Sequence, residues 1–105
     1  MKLQSDQLER VASLFRAFAE PTRLSIIQEL KEGELSVSEI VDRLPTSQAN
    51  VSKQLKLLHD AGLVTRRKQG TQVLYAISDA MVFELCSLVC DKLNRDMVKP
   101  AKLVF

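Results

Sequence analysis

The sequence predicts a mainly α, α+β domain: five helices with a two-stranded β-hairpin inserted before the last. Three observations predict it. Apolar residues recur at helical spacing in four successive segments of the first sixty residues. A short Pro45-Thr46-Ser47 break separates the third segment from the fourth. Then Val73, Tyr75 and Ile77 alternate with Leu74, Ala76 and Ser78 behind Gly70-Thr71, as in the second strand of a hairpin.

Each element has its own signal. Leu8, Val11, Leu14, Phe15 and Phe18 form the apolar side of a first helix, over about 6–18. Glu20-Pro21-Thr22 interrupts it, and Pro at a helix's first turn starts a second, running to about Lys31 with Leu24, Ile27 and Leu30 facing inward and Gly33 ending it. Ser36 and Glu39 have capping-box spacing and open a third helix over Ser36 to Leu44, with Val37, Ile40, Val41 and Leu44 apolar. Thr46 or Ser47 caps a fourth helix to about Asp60, with Val51, Leu55 and Leu58 inward and Ala61-Gly62 as its stop. Strands follow over Leu63 to Lys68 and Gln72 to Ser78. Asp79 opens a last helix to about Met97, and the tail after Pro100 is expected to fray, with Leu103, Val104 and Phe105 free to dock.

Composition narrows the function. The 105 residues suffice for one domain spanning 1–105, and 46% are hydrophobic, so a core can form on Leu, Val, Ile and Ala without Trp. A chain this short gains from burying surface against a second copy. The net charge of +2 is uninformative, but its distribution is not. Six basic residues and one acid lie between Arg43 and Ser78, against five bases and eight acids before them. Such a block suits a polyanion, or else is a solvated charged face. Charges occupy the place of a signal-peptide core in MKLQSDQLER, and no apolar run reaches membrane-spanning length, so a cytoplasmic protein without membrane contact is expected. Cys86 and Cys90, four apart in a helical pattern, do not form a secreted disulfide framework.

Helices three and four, about 36–60, have helix-turn-helix spacing, and the hairpin, about 63–78, follows as a wing: a winged helix-turn-helix. In this arrangement the second helix enters the major groove of double-stranded DNA. Its side opposite Val51, Leu55 and Leu58 carries Ala49, Ser52, Lys53 and Lys56, with Gln48 at the margin: small, polar and basic. Gln48 can pair with adenine and Lys53 can reach guanine. Ser47 and Ser52 suit phosphate or base contacts. Arg66, Arg67, Lys68 and Gln72 place cations and an amide near the hairpin tip, where phosphates would be neutralised.

The segments Phe18-Ala19-Glu20-Pro21-Thr22-Arg23-Leu24, Glu34 to Ile40, Ser47 to Leu58, Ala61-Gly62-Leu63-Val64 and Arg66 to Tyr75 resemble the ArsR/SmtB family of bacterial repressors, over about residues 8 to 95. The resemblance implies a homodimer whose fourth helices read an operator and whose inducer releases it. It also implies two metal sites that can be checked by residue. A thiolate site at Glu34-Leu35-Ser36-Val37-Ser38 has hydroxyls in place of both sulfurs. A site on the last helix begins at Asp79 but continues with Met81, Lys92 and Arg95 where His ligands are expected. With His59 the single histidine, read as a solvated helix-end residue, a His-rich zinc site is excluded. No cofactor is required.

Phe83, Cys86, Cys90, Leu93 and Met97 repeat at heptad-like steps, which predicts a seam packed against the dimer mate over about 79–97. Two readings of the thiols stay open. They pack as small hydrophobes, or they sense: a soft metal or metalloid ion such as Cu(I), Zn(II) or As(III), or an oxidant, persulfide or electrophile. An enzyme is not expected, because the one histidine lies on a different helix from both thiols and no glycine-rich phosphate loop exists. A winged-helix dimer serving as a protein-interaction adaptor is the remaining alternative.

Overall fold

The computed structural model describes residues 1–96 and 102–105. Its elements run α1 (Ser5–Phe18), α2 (Pro21–Glu29), a 3₁₀ turn (Leu30–Glu32), β1 (Leu35–Ser36), α3 (Val37–Arg43), α4 (Gln48–Asp60), β2 (Val64–Gln69), β3 (Gln72–Ile77) and α5 (Met81–Asp96). The five helices and the hairpin stand where the apolar spacing puts them. Local chemistry explains the starts. The Glu20 carboxylate accepts from the amides of Thr22 (2.7 Å) and Arg23 (3.2 Å), with Pro21 in the first turn of α2. Ser36 accepts from the Glu39 amide at 3.2 Å while the Glu39 carboxylate accepts from the Ser36 amide at 2.9 Å, a full capping box on α3. The Ser36 amide, donating to that carboxylate, holds the Glu39 carboxyl below its ordinary range. For α4 the cap is Ser47, which accepts from the Asn50 amide at 3.1 Å. The Thr46 hydroxyl instead accepts from the Asn50 side-chain amide at 3.0 Å.

Four features differ from the sequence expectation. The second helix ends at Glu29 and tightens into the 3₁₀ turn instead of continuing to Lys31. The last helix begins at Met81, whose amide donates to the Asp79 carboxylate at 2.7 Å. The two-residue strand β1 has no counterpart in the expected element list. It pairs antiparallel with β3, placing Leu35 opposite Tyr75 and Ser36 opposite Leu74, so the sheet is three-stranded in the order β1-β3-β2. The β2–β3 register runs from Val64 opposite Ile77 to Gln69 opposite Gln72. Gly70 turns the hairpin with φ +64°, the positive angle that a two-residue turn demands of its first position.

The fourth difference concerns α5. The core joins Ile26, Ile27, Leu30, Ile40, Val51, Leu55, Leu58, Leu63, Val64, Tyr75, Val82 and Cys86. Cys86, 6% exposed, therefore packs inside its own protomer, next to Val82 one turn before it, with Phe83 and Leu85 leaning on the same cluster. The expected intermolecular seam through Phe83, Cys86, Cys90 and Leu93 is split; Met97 lies outside the described residues. Leu88, Val89 and Leu93 are instead the exposed apolar side of α5. A helix with adjoining apolar stripes can turn either one to the core, and the spacing does not say which.

On α1 only Phe18 is buried, while Leu8, Val11 and Phe15 stand exposed at i, i+3 and i+7. The radius of gyration, 15.4 Å, exceeds the ~13 Å of a compact 100-residue chain, consistent with terminal helices that use little of the core. Near the chain's end the Asn94 side chain accepts from the Leu103 amide (2.7 Å) and donates to the Leu103 carbonyl (2.6 Å), and Lys31 donates to the Phe105 carbonyl. Phe105 thereby packs against the core cluster, so this part of the tail docks. Pro100, where fraying was expected to start, lies outside the described residues.

Candidate nucleic-acid interface

The α3–α4 unit presents one face of α4 to solvent because the opposite face is the core. Val51, Gln54, Leu55 and Leu58 are buried, and Ser47, Gln48, Ala49, Ser52, Lys53 and Lys56 are all exposed. The exposed surface is small and polar at the N-terminal end and cationic further along. Small residues let a backbone approach base edges, and the helix N-terminus favours phosphate. His59 is half-buried in the last turn of α4.

The wing brings Arg66, Arg67, Lys68 and Gln72 to the surface, but not on one side. Arg66 lies opposite Tyr75 and Lys68 opposite Val73, whereas Arg67 lies opposite Leu74. Alternate residues of a strand point to opposite faces, so Arg67 leaves from the other face. There it forms a bidentate pair with Glu34: Nε donates to Oε2 at 3.0 Å and Nη2 to Oε1, with a further bond from Nη2 to the Gln69 side-chain oxygen at 3.1 Å. The Arg67 hydrogen bond pulls the Glu34 carboxyl below its ordinary range, and the Glu34 carboxylate pushes the guanidinium up in return. Lys56 is paired as well, with Asp60 at 3.0 Å, one helical turn on. Among the described residues, Lys53, Arg66 and Lys68 form no internal ion pair. The basic block that reads as uniform along the chain is thus divided into cations already neutralised and cations left for a partner.

The arrangement also exposes residues that sequence reasoning left out. Gln54 was grouped with neither face of α4, yet it is 7% exposed and hydrogen-bonded at both ends. The signal was present: position 54 falls between Val51 and Leu55 on the apolar stripe, and an amide there needs buried partners.

The thiols lie apart from this surface. An apolar groove of about 340 Å³ between α1, α2 and α5 is lined by Phe15, Phe18, Leu24, Cys86, Cys90 and Phe105, among others. Burial, and then the neighbouring Cys90, push the Cys86 thiol above its ordinary range, which keeps it protonated. Among the described residues no three His, Cys, Asp or Glu side chains converge as a metal site. At the position where the resemblance placed a thiolate site, the Ser36 hydroxyl is occupied as the α3 cap and lies 3.2 Å from the Ser38 hydroxyl. No helix among the described residues is long and apolar enough to cross a membrane.

Comparison with known proteins agrees with this geometry. A family model described as a helix-turn-helix domain matches residues 18–67. An HTH-type transcriptional regulator of Methanocaldococcus jannaschii, itself uncharacterized, is 41% identical over 85 residues, covering 80% of this chain and 96% of the relative. The HTH-type transcriptional repressor SmtB of Mycobacterium tuberculosis is 42% identical over 72 residues, 69% of this chain, and this match spans about half (53%) of that relative. Among solved structures, a homodimeric winged helix-turn-helix DNA-binding domain from Mycobacterium bovis, described as a possible ArsR-family regulator, superimposes with TM-score 0.76 at 31% identity, covering 94% of this chain and 98% of that one. With its helix-turn-helix, its wing and these relatives taken together, the chain belongs to the ArsR/SmtB family of winged helix-turn-helix, DNA-binding transcriptional repressors.

Proposed function

We propose that this chain acts as a homodimer that sets the α4 helices of its two copies into successive major grooves of operator DNA, about 34 Å apart, with the wings along the backbone. Ser47, Gln48, Ala49, Ser52 and Lys53 face the bases and nearby phosphates; Lys56, Arg66, Lys68 and Gln72 hold the backbone, and Arg67 joins them if Glu34 releases it. The observation that carries the reading is the surface of α4. It is exposed, nearly free of apolar side chains and served by Lys53, Arg66 and Lys68, which have no internal acid partner among the described residues. The exposed apolar stripes of α1 (Leu8, Val11, Phe15) and α5 (Leu88, Val89, Leu93) support the second copy as their cover.

The decisive experiment measures binding to the duplex upstream of the protein's own gene and to a scrambled duplex of equal length, across a salt series. A repressor prefers the former and loses affinity steeply with salt. A protein-interaction adaptor shows neither preference nor steep slope.

The inducer reading is narrower. Among the described residues, the side chains of one chain do not assemble a metal site. Thiol sensing in this reading rests on Cys90, half-buried on the groove, rather than on the packed Cys86. Arsenite, Cu(I) and polysulfide are the probes. If Cys90→Ser protein releases the upstream duplex as the parent does, thiol sensing is wrong.

A further inference from the structure

Gln54 is the polar exception on the buried side of α4. The other buried polar side chain among the described residues, Ser36, is a helix cap. The Gln54 amide sits in a continuous chain of hydrogen bonds. Arg23 Nη1 donates to Gln54 Oε1 at 2.7 Å, Gln54 Nε2 donates to Asn50 Oδ1 at 3.1 Å, and Asn50 Nδ2 donates to Thr46 Oγ1 at 3.0 Å. Every bond runs in the same sense, from a guanidinium that can only donate to a hydroxyl that can accept. At the head of the chain, Arg23 also donates through Nε to the Ala17 carbonyl (2.8 Å) and through Nη2 to the Arg16 carbonyl (3.0 Å), in the last turn of α1. At its tail, Thr46 lies in the turn of the helix-turn-helix and Asn50 in the first turn of α4, beside Ser47 and Gln48.

We propose that Arg23, Gln54, Asn50 and Thr46 are positioning residues for DNA reading: their relay fixes the first turn of α4 against the end of α1. The inference deepens the repressor reading and rests on it for the DNA half of its test. Stability alone does not account for the relay. Leu or Met would fill the Gln54 site between Val51 and Leu55 without needing four polar groups to be satisfied together. The relay supplies directional bonds between two elements that α4's apolar contacts would hold without fixing their rotation. Because the carbonyls of Arg16 and Ala17 end the helix that carries Leu8, Val11 and Phe15, a change in how α1 meets a second copy reaches α4 along the same bonds. Two arrangements of the dimer would then present two orientations of the reading helix, which is the coupling an inducer needs.

Two variants and two readouts test this. Gln54→Met keeps the side-chain volume and removes both amide bonds. Thr46→Val leaves Gln54 in place and removes only the last acceptor. In the free protein, amide hydrogen exchange is compared between the first turn of α4 (Asn50 to Lys53) and the core turn of α5 around Val82 to Cys86. A positioning relay predicts exchange about tenfold faster in the first turn of α4 for Gln54→Met, about threefold for Thr46→Val, and little change in α5. Acceleration spread evenly over both helices, or none in either variant, overturns the proposal. On DNA, the ratio of affinities for the upstream and scrambled duplexes should fall about tenfold in Gln54→Met with the salt slope unchanged. A fall of both affinities together overturns it. If the parent protein shows no preference between the duplexes, the repressor reading fails instead, and the exchange experiment still decides whether the relay positions α4.

Discussion

Two surfaces of this molecule are made the same way and finished oppositely. Both α4 and the α1/α5 pair bury one side and leave another to solvent. The outer side of α4 and its cap carries Ser47, Gln48, Ala49, Ser52, Lys53 and Lys56, with Leu57 the one large apolar side chain exposed on that helix; the apolar stripes left outside on α1 and α5 are Leu8, Val11, Phe15, Leu88, Val89 and Leu93. A hydrated, mobile cation on the first surface is ready to exchange small counterions for phosphates. An apolar side chain on the second gains by leaving water altogether. The difference teaches which partner each face suits: a polyanion for one, a second copy with the same face for the other.

The comparison breaks most readily at the apolar face. Phe15→Glu combined with Leu93→Glu should leave the fold intact, since both side chains are exposed, yet give a monomer by sedimentation and weaken duplex binding by about 100-fold or more. A dimer that survives both changes would place the interface elsewhere. At the polar face, Lys53→Ala with Arg66→Ala removes four cations per dimer, so the slope of log affinity on log salt should become shallower by about 3.6 if each neutralises a phosphate. An unchanged slope would mean these residues do not touch DNA.

Smaller effects sharpen the picture. Ser47→Ala removes the α4 cap and should cost about 1 kcal/mol in unfolding measurements. The wing offers a finer contrast: Arg66→Ala should weaken binding more than Arg67→Ala, because Arg67 is engaged by Glu34, and Glu34→Gln should raise affinity by freeing it. The pH dependence of that pair has a definite sign. The folded-state pKa of Glu34 lies below its ordinary value of 4.5, so the pair's contribution is complete above that value. It is lost as pH falls from there through the lowered pKa. The pair is exposed, so the loss is small. Acid unfolding of the parent and of Glu34→Gln should therefore converge below pH 4.5, and parallel curves would show that the pair contributes nothing.

Much of this was legible along the chain because local rules decide it. The capping box at Ser36 and Glu39, the break at Pro45, the turn at Gly70 and the inward set Val51, Leu55 and Leu58 each follow from a few neighbouring residues. The resemblance to a repressor family rested on the same segments. Ile26 was missed, although it is fully buried, because helix α2 is enclosed on more than one side and a single-stripe reading passes over it. The strand β1 was missed because Leu35–Ser36 is too short to show any period and exists only through its pairing with β3.

The sequence by itself determined where the first four helices and the two hairpin strands lie, which side of α4 is polar, and that cations gather between Arg43 and Lys68, since these depend on spacing and on side-chain chemistry alone. The tertiary structure decided which of those cations are already paired, that Cys86 faces its own core while Leu88, Val89 and Leu93 face out, and that Arg23, thirty-one residues from Gln54, holds it. Those outcomes depend on contacts between distant segments. A helix's rotation, a strand's partner and an ion pair across the fold are set when the core closes, and periodicity along the chain carries no record of them.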